Sequence, residues 1–408
     1  VTTGDASAPI LDGIRVVDLT QYLAGPTVTR LLAEQGADVV KVEQAPYGDP
    51  TRTLAVLREG RSGYFVQQNR GKRSLCVDFD DPEGRRILDA LIATADVVVE
   101  NYGPGVLERR GLDHASLRAR HPRLIVASIS GFGRAPGPLS HKTSFDLIAQ
   151  AYSGLLIQTG PADGPPMPVG VSYADVMSGV HAVAGIGLAL FHRERTGRGQ
   201  HVDIAMVDAL FHAHELTVQG AHLTGGKWRP RRSGAKSALN SPTGVFKAPQ
   251  GWIVLQVMGN QWPGFCRAIG RPELEHDERF CGLRERAKNR DELNALIEHW
   301  MTGFATDADV LAVLEAERIP CAPVIDAADA HEYPYFVDRR MVRTVPDPIL
   351  GEVRIPGNPL RLSEQPDDLP LVAPLLGEHN VEVLAELGWT AADATRLEAA
   401  GVLRSKPR

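Results

Sequence analysis

A chain of 408 residues is long enough for two domains and for a core that needs neither disulfide nor metal to hold it. Its 43% hydrophobic and 23% charged residues are those of a globular protein, and a net charge of −6 lacks the basic footprint of a nucleic-acid partner. Four widely spaced cysteines, Cys76, Cys266, Cys281 and Cys321, form no C-x-x-C pair, which argues against a zinc knuckle or dithiol motif and predicts free thiols in a reducing compartment.

Val1 to Pro9 has neither the basic nor the apolar region of a signal peptide. The most apolar stretch, around Val180 to Phe191, is diluted by glycine and histidine and reads as too short to span a bilayer. A cytoplasmic protein with no membrane partner is expected. Ile14 to Leu19 reads as a strand. Thr27 to Gln35 reads as a helix, with Pro26 near its first position and Gly36 as its stop. Asp38 to Glu43 follows as a second strand and completes a βαβ unit. The pattern repeats with a strand at Ser74 to Phe79, a helix opened by Asp81-Pro82-Glu83, and strands at Asp96 to Glu100 and Arg123 to Ile129. Near-continuous Val/Ile/Leu strands between helices predict a parallel sheet covered on both faces.

After a Gly/Pro-rich loop at Thr159 to Gly170, a long helix is expected from about Tyr173 to Arg195, and His201 to Ala205 returns as a strand. Ser178, Gly179, Ala182, Ala184, Gly185 and Gly187 predict close packing of that helix. From about Leu223 the composition shifts. Lys227 to Lys236 is basic and reads as a solvated loop. Gly244 to Lys247 and Trp252 to Val257 flank Pro249-Gln250-Gly251 as a hairpin. Ile319-Pro320-Cys321-Ala322-Pro323 reads as a return linker. The expected division is 1–222 and 326–408 as one large domain, with 223–325 as a small domain between them.

The turn Thr20 to Pro26 lacks G-x-G-x-x-G, and no Walker A sequence occurs, which disfavours nicotinamide, flavin and ATP chemistry. Gly170-Val171-Ser172-Tyr173-Ala174 resembles a nucleophile elbow without its last glycine, and Ser172 reads as a turn residue. His212 and His214, two apart on a helix, face different ways, so no metal site is expected. Asp175 lies in the first turn of the long helix, where free N–H groups and the macrodipole favour an ionised carboxylate, the form that nucleophilic attack requires. On position alone a cap is its more ordinary role. Lys41, Arg70, Lys72, Arg73, Arg109, Arg110 and Lys142 lie near strand ends, as cations that meet phosphates would.

An ordered set of short stretches carries more. It comprises Leu11-Asp12-Gly13-Ile14-Arg15-Val16, Ala24-Gly25-Pro26, Gly36-Ala37-Asp38-Val39-Val40-Lys41-Val42-Glu43 and Gly48-Asp49-Pro50. Asn69 with Lys72-Arg73-Ser74 follows, then Glu100-Asn101-Tyr102-Gly103-Pro104-Gly105. Asp175-Val176-Met177-Ser178-Gly179, Thr196-Gly197-Arg198-Gly199-Gln200 and Leu375-Leu376-Gly377-Glu378-His379 complete it. Together they resemble the class III coenzyme A transferases, the family of formyl-CoA transferase and carnitine CoA-transferase.

The resemblance implies an α/β fold: a Rossmann-like large domain built from both chain ends, an inserted small α+β domain, and an interlocked homodimer. It implies acyl-CoA and a free carboxylate as substrates, with no permanently bound cofactor. Asp175 would be the catalytic nucleophile, passing through a mixed anhydride and an aspartyl-CoA thioester. Contacts to coenzyme A would come from Leu23, Ala24, Lys72, Val77, Asn101, Tyr102, Gly103, Arg109 and Lys142. Gln44 and Asp80 stand where the family carries basic residues. Tyr22 and Tyr173 would meet the acceptor acid, together with the small domain near Ser233 to Asn240. Succinyl-CoA as donor, with a short dicarboxylate or hydroxy acid as acceptor, is the expectation from family breadth. Ser233-Gly234-Ala235-Lys236-Ser237 replaces the glycine-rich run of formyl-CoA transferases and points away from formyl-CoA and oxalate. The α-methylacyl-CoA racemases of the same fold use a Gly-His-Asp segment. Here Ser144-Phe145-Asp146 matches it, and phenylalanine exchanges no proton, which leaves a racemase as the alternative. Asp146 either orients the Asp175 region or caps a helix.

Overall fold

Val16, Val17, Val39, Val40, Val97, Val98 and Val99 are at most 1% exposed, so three neighbouring strands are covered on both faces. The computed structural model describes residues 8–366 and 369–405. In chain order it has β1 (Arg15–Asp18), α1 (Ala24–Ala33), β2 (Asp38–Gln44), α2 (Gly63–Asn69), β3 (Arg73–Val77), α3 (Pro82–Ala93), β4 (Val97–Glu100) and α4 (His114–Arg120). Then come β5 (Ile125–Ser130), α5 (Asp146–Tyr152), α6 (Tyr173–Thr196), β6 (His201–Ala205) and α7 (Met206–Phe211). The six strands form one parallel sheet in the order β3-β2-β1-β4-β5-β6. Strand order reverses at β1, and the crevice beyond the carboxyl ends of β1 and β4 is where open α/β sheets bind ligands.

The first helix begins at Ala24, three residues before the sequence reading placed it. Pro26 falls in its first turn, where a missing N–H forfeits no intrahelical bond. Gly36, at φ +94°, ends it as expected.

Late residues close the far edge of the sheet. The backbone N–H of Cys76 donates to Asn380 Oδ1 at 2.9 Å, and Arg404 N–H donates to Cys76 O at 3.1 Å. Val383, Leu384, Leu397 and Leu403 join the core formed by Leu75, Val77, Ile87 and Leu91. The Leu375 to His379 stretch is therefore structural: Gly377, at φ +63°, has Arg404 O so close that an added Cβ would lie 2.0 Å from it.

Small residues let α6 lie close to its neighbours. A Cβ at Gly179 would come within 2.8 Å of Thr27 on α1, and one at Gly185 within 2.7 Å of Val202 on β6. The helix has 24 residues, and by length and composition it is long and apolar enough to cross a membrane, contrary to the shorter run read from the sequence. It lies beside a sheet: Ala174, Ser178, Gly179, Ala182, Ile186 and Ala189 are buried, while Val176, Val180, Leu188 and Phe191 are exposed.

The chain divides into two compact units, one of 1–153, 170–215 and 334–408, the other of 154–169 and 216–333. The loop 154–169 thus goes with the second unit and not with the first, as the sequence reading had it. In the second unit β7 (Thr243–Lys247) and β8 (Trp252–Gln256) make the expected hairpin. The stretch read as a return linker is a third strand, β9 (Cys321–Pro323), antiparallel to β8. Pro323 is tolerated because β9 is an edge strand and its missing N–H breaks no ladder. Phe246, Ile253, Leu255, Phe265, Leu293 and Ile297 form this unit's own core.

Candidate active site

The turn after β1 is set from below by buried charges. Asp18 accepts from Thr20 N at 2.9 Å, from Thr29 Oγ1 at 2.7 Å and from Lys72 Nζ at 2.9 Å. Lys41 Nζ pairs with Asp49 at 2.9 Å and donates to Thr20 O at 2.8 Å. Burial works against charge on Asp18, but Lys72 and Lys41 outweigh it and hold the carboxyl at about 2. Burial brings the Lys72 ammonium down to about 8 against the pull of Asp18.

From the side, Asn101 at the end of β4 grips Gln21 through both groups of its amide. Gln21 N–H donates to Asn101 Oδ1 and Asn101 Nδ2 donates to Gln21 O, each at 2.8 Å. Between these anchors Tyr22 is forced to φ +63°, a conformation uncommon for a residue other than glycine and frequent where side chains are aimed at a ligand. Its ring meets Phe145 edge-on, with centroids 6.2 Å apart.

A cavity of about 300 Å³ opens above this turn, at the β1/β4 switch point. Tyr22, Leu23, Ala24, Asn101, Tyr102 and Gly103 line it from the first sheet half. Lys142, Phe145 and Asp175 line it from the other. Among the described residues Asp175 is the only carboxylate in the lining and Lys142 the only cation, with Lys142 Nζ donating to Tyr152 Oη at 3.0 Å.

Asp175 is not stabilised in the way its position suggested. Ser172 precedes α6 without a side-chain cap. Asp146, the first residue of α5, takes that place: its Oδ1 accepts from Ala174 N at 2.7 Å and from Asp175 N at 3.4 Å, and its Oδ2 accepts from Gln150 Nε2 at 2.7 Å. The helix N–H groups are spent on Asp146, and its charge faces Asp175. Burial first, and then the Asp146 charge, push the Asp175 carboxyl up to about 7. The expectation that the helix terminus favours an ionised Asp175 is therefore reversed, and Asp146 is a cap, of α6.

Several expected contacts lie elsewhere. Lys72 is fully buried on Asp18 and Asn69, and Val77 is buried in β3, so neither side chain reaches the cavity. Arg109 is exposed on the 3₁₀ turn Glu108–Arg110, outside the lining. Tyr173 and Asp146 also lie outside it. Lys41 is spent on Asp49, Arg70 on Glu34, Arg73 on Asp38 and Glu386, and Arg110 on Asp80. Gln44, where the family has a basic residue, donates to Asp78 at 2.7 Å. The sequence reading missed Gln21, Tyr64, Met206, the last two residues of β5 (Ile129 and Ser130) and the Gly131–Gly133 loop after it, all in the lining. Burial, and then the Asp175 and Asp49 charges, push the Tyr64 phenol up to about 12. The rule that ligands sit at the strand-order reversal pointed to the loops after β1 and β4. No local pattern marked Tyr64. Among the described residues no group of three or more His, Cys, Asp and Glu is placed to hold a metal ion.

Residues 11–380 match the family model described as CoA-transferase family III. The chain is 38% identical to a formyl-CoA:oxalate CoA-transferase of Streptomyces coelicolor, over 97% of this chain and 100% of that protein. It is 40% identical to a succinyl-CoA:mesaconate CoA-transferase of Haloarcula marismortui, over 93% of this chain and 96% of that one. The crystal structure of a CAIB/BAIF family protein from Brucella suis superposes with a TM-score of 0.83 at 36% identity, covering 93% of this chain and 100% of that one.

Proposed function

The chain belongs to CoA-transferase family III, and from that premise we propose that its switch-point cavity moves coenzyme A from an acyl-CoA to a free carboxylic acid, with Asp175 as nucleophile. The observation that carries the reading is the one carboxylate that the described residues bring to the cavity, part-buried at the start of α6. A carboxylate oxygen of Asp175 adds to the thioester carbonyl. The C–S bond breaks, giving a mixed anhydride and CoA thiolate. The thiolate attacks the aspartyl carbonyl, the donor acid leaves as carboxylate, and Asp175 carries CoA as a thioester. The acceptor carboxylate attacks that thioester and expels the thiolate again. The thiolate then takes the acceptor's acyl group and frees Asp175. Each step consumes one anion and releases one, so the cycle balances without a proton or an electron. Water kept out of the cavity preserves the activated intermediates.

Leu23, Ala24 and the Asn101–Gly103 turn would hold the thioester end, with Lys142 near the entrance. The relatives named above use oxalate or mesaconate, both short dicarboxylic acids, and we propose an acceptor of that class. Succinyl-CoA is the proposed donor. The racemase reading is not favoured: Phe145 fills the place of the racemase base, and these relatives are CoA-transferases. The exposed apolar side chains of α6 support a homodimer, with interlocking as the family-based form; Leu188 is 71% exposed and Phe191 63%. Sedimentation of the full chain at micromolar concentration should give twice the single-chain mass, and a monomer would remove that element.

The decisive experiment is intact-protein mass spectrometry after incubation with succinyl-CoA, formyl-CoA and acetyl-CoA, with hydroxylamine trapping. A CoA adduct, or a hydroxamate mapped to Asp175, is expected with at least one donor. Unmodified protein with all three, together with solvent deuterium entering the α-carbon of a branched acyl-CoA, would refute the transferase reading in favour of a racemase.

A further inference from the structure

Arg134 follows β5, and its side chain is 9% exposed. Its guanidinium forks onto Glu100 at the end of β4, with Nη2 2.7 Å from Oε2 and Nε 3.2 Å from Oε1. The same Nη2 donates to Tyr102 O at 2.7 Å, and Glu100 Oε2 accepts from Tyr102 N at 2.9 Å. On the other side, the backbone N–H of Arg134 lies 2.9 Å from both carboxylate oxygens of Asp203 on β6, and Ala135 N donates to the same carboxylate at 3.2 Å. One residue thus fastens two cavity loops, Asn101–Pro104 after β4 and Gly131–Gly133 after β5, between two carboxylates. Both loops lie outside strands and helices, so their peptide groups depend on such partners for fixed directions.

Geometry makes the side chain specific. A planar guanidinium serves a carboxylate and a carbonyl at once, whereas an ammonium presents its donors around a point. We propose that Arg134 is a positioning residue for substrate binding: it holds the Tyr102–Gly103 peptides at the spacing the CoA portion of the substrate needs. This rests on the CoA-transferase reading. Asp175 approaches the cavity from α6, and none of the contacts of Arg134 reach it, so binding is affected before chemistry.

The test compares wild type, Arg134→Lys and Arg134→Ala. Free CoA is titrated calorimetrically, and turnover is measured with a donor that labels the wild type. Loss of a charge-assisted clamp should raise the CoA Kd on the order of tenfold in Arg134→Lys and further in Arg134→Ala. KM for the donor should rise in parallel, kcat should stay within about twofold, and Asp175 should still be labelled at saturation. CoA affinity within about twofold of wild type in the variants, or a fall in kcat with KM unmoved, would overturn the proposal. If Arg134→Ala does not fold, Arg134→Lys, which keeps the charge beside Glu100, decides. A wild type that binds no CoA refutes the transferase reading itself, a failure visible before any variant is compared, and the proposal falls with it.

Discussion

Asp175→Ala should lower CoA transfer on the order of 10⁴-fold or more, with the fold intact. The loss is large because every step of the proposed cycle forms or breaks a bond at this carboxyl. Among the described residues no neighbour is placed to substitute: Asp175 is the only acid in the cavity lining, and Asp146 has both oxygens engaged by Ala174, Asp175 and Gln150. Truncation removes a part-buried carboxylate whose ionised form burial and Asp146 both disfavour, so stability should not fall with activity. Steady-state transfer between an acyl-CoA and a dicarboxylate, beside a thermal melt, checks both. Activity above about a hundredth of wild type would show that another group carries the acyl chain.

The second large effect is on pH. With the Asp175 carboxyl at about 7, the nucleophilic anion is half formed near neutrality, and kcat/KM should fall about tenfold for each pH unit below 7. Asp146→Asn keeps an oxygen for the Ala174 N–H but removes the facing charge, so the acid limb should move to lower pH. Stability follows with the opposite sense. The folded carboxyl holds its proton up to about 7, against 3.8 in an unfolded chain, so its contribution is full below 3.8 and is lost as pH rises through 7. Asp175→Asn escapes that loss and should be the more stable form at pH 8, by at most ~4 kcal/mol. A rate flat between pH 5 and 7, or an acid limb that Asp146→Asn does not move, would show that Asp175 titrates as an ordinary carboxyl.

The centre of the sheet was legible because β1, β2 and β4 carry runs of valine, Val16-Val17, Val39-Val40 and Val97-Val98-Val99, and such runs have few readings other than a doubly covered parallel strand. Asp175, which the structure places in the cavity lining, was singled out only through the ordered motifs, since an acid at a helix start is ordinary. Its environment was not: the charge opposing it sits on Asp146, 29 positions earlier, and only folding brings the two together. Lys72 failed for the same reason in reverse. A lysine at a strand end reads as a phosphate contact, and nothing local discloses that Asp18, 54 positions upstream, claims it in the core. Tyr64 and Gln21 carried no pattern at all, and the cavity at the switch point became visible only when the strand order was known.

The way the sheet is finished has a consequence for synthesis. β3 is an edge strand from the moment it forms, and the groups that cover it, Asn380, Val402 and Arg404, lie about 300 residues later in the chain. A nascent chain that has already made all six strands still carries an open, apolar β-edge while residues 216–333 of the second unit are translated. Cys76 and Leu75, fully buried in the finished protein, stay uncovered on that side until then. The ribosome thus releases the switch-point cavity of this protein well before the opposite edge of the same sheet is safe from other chains.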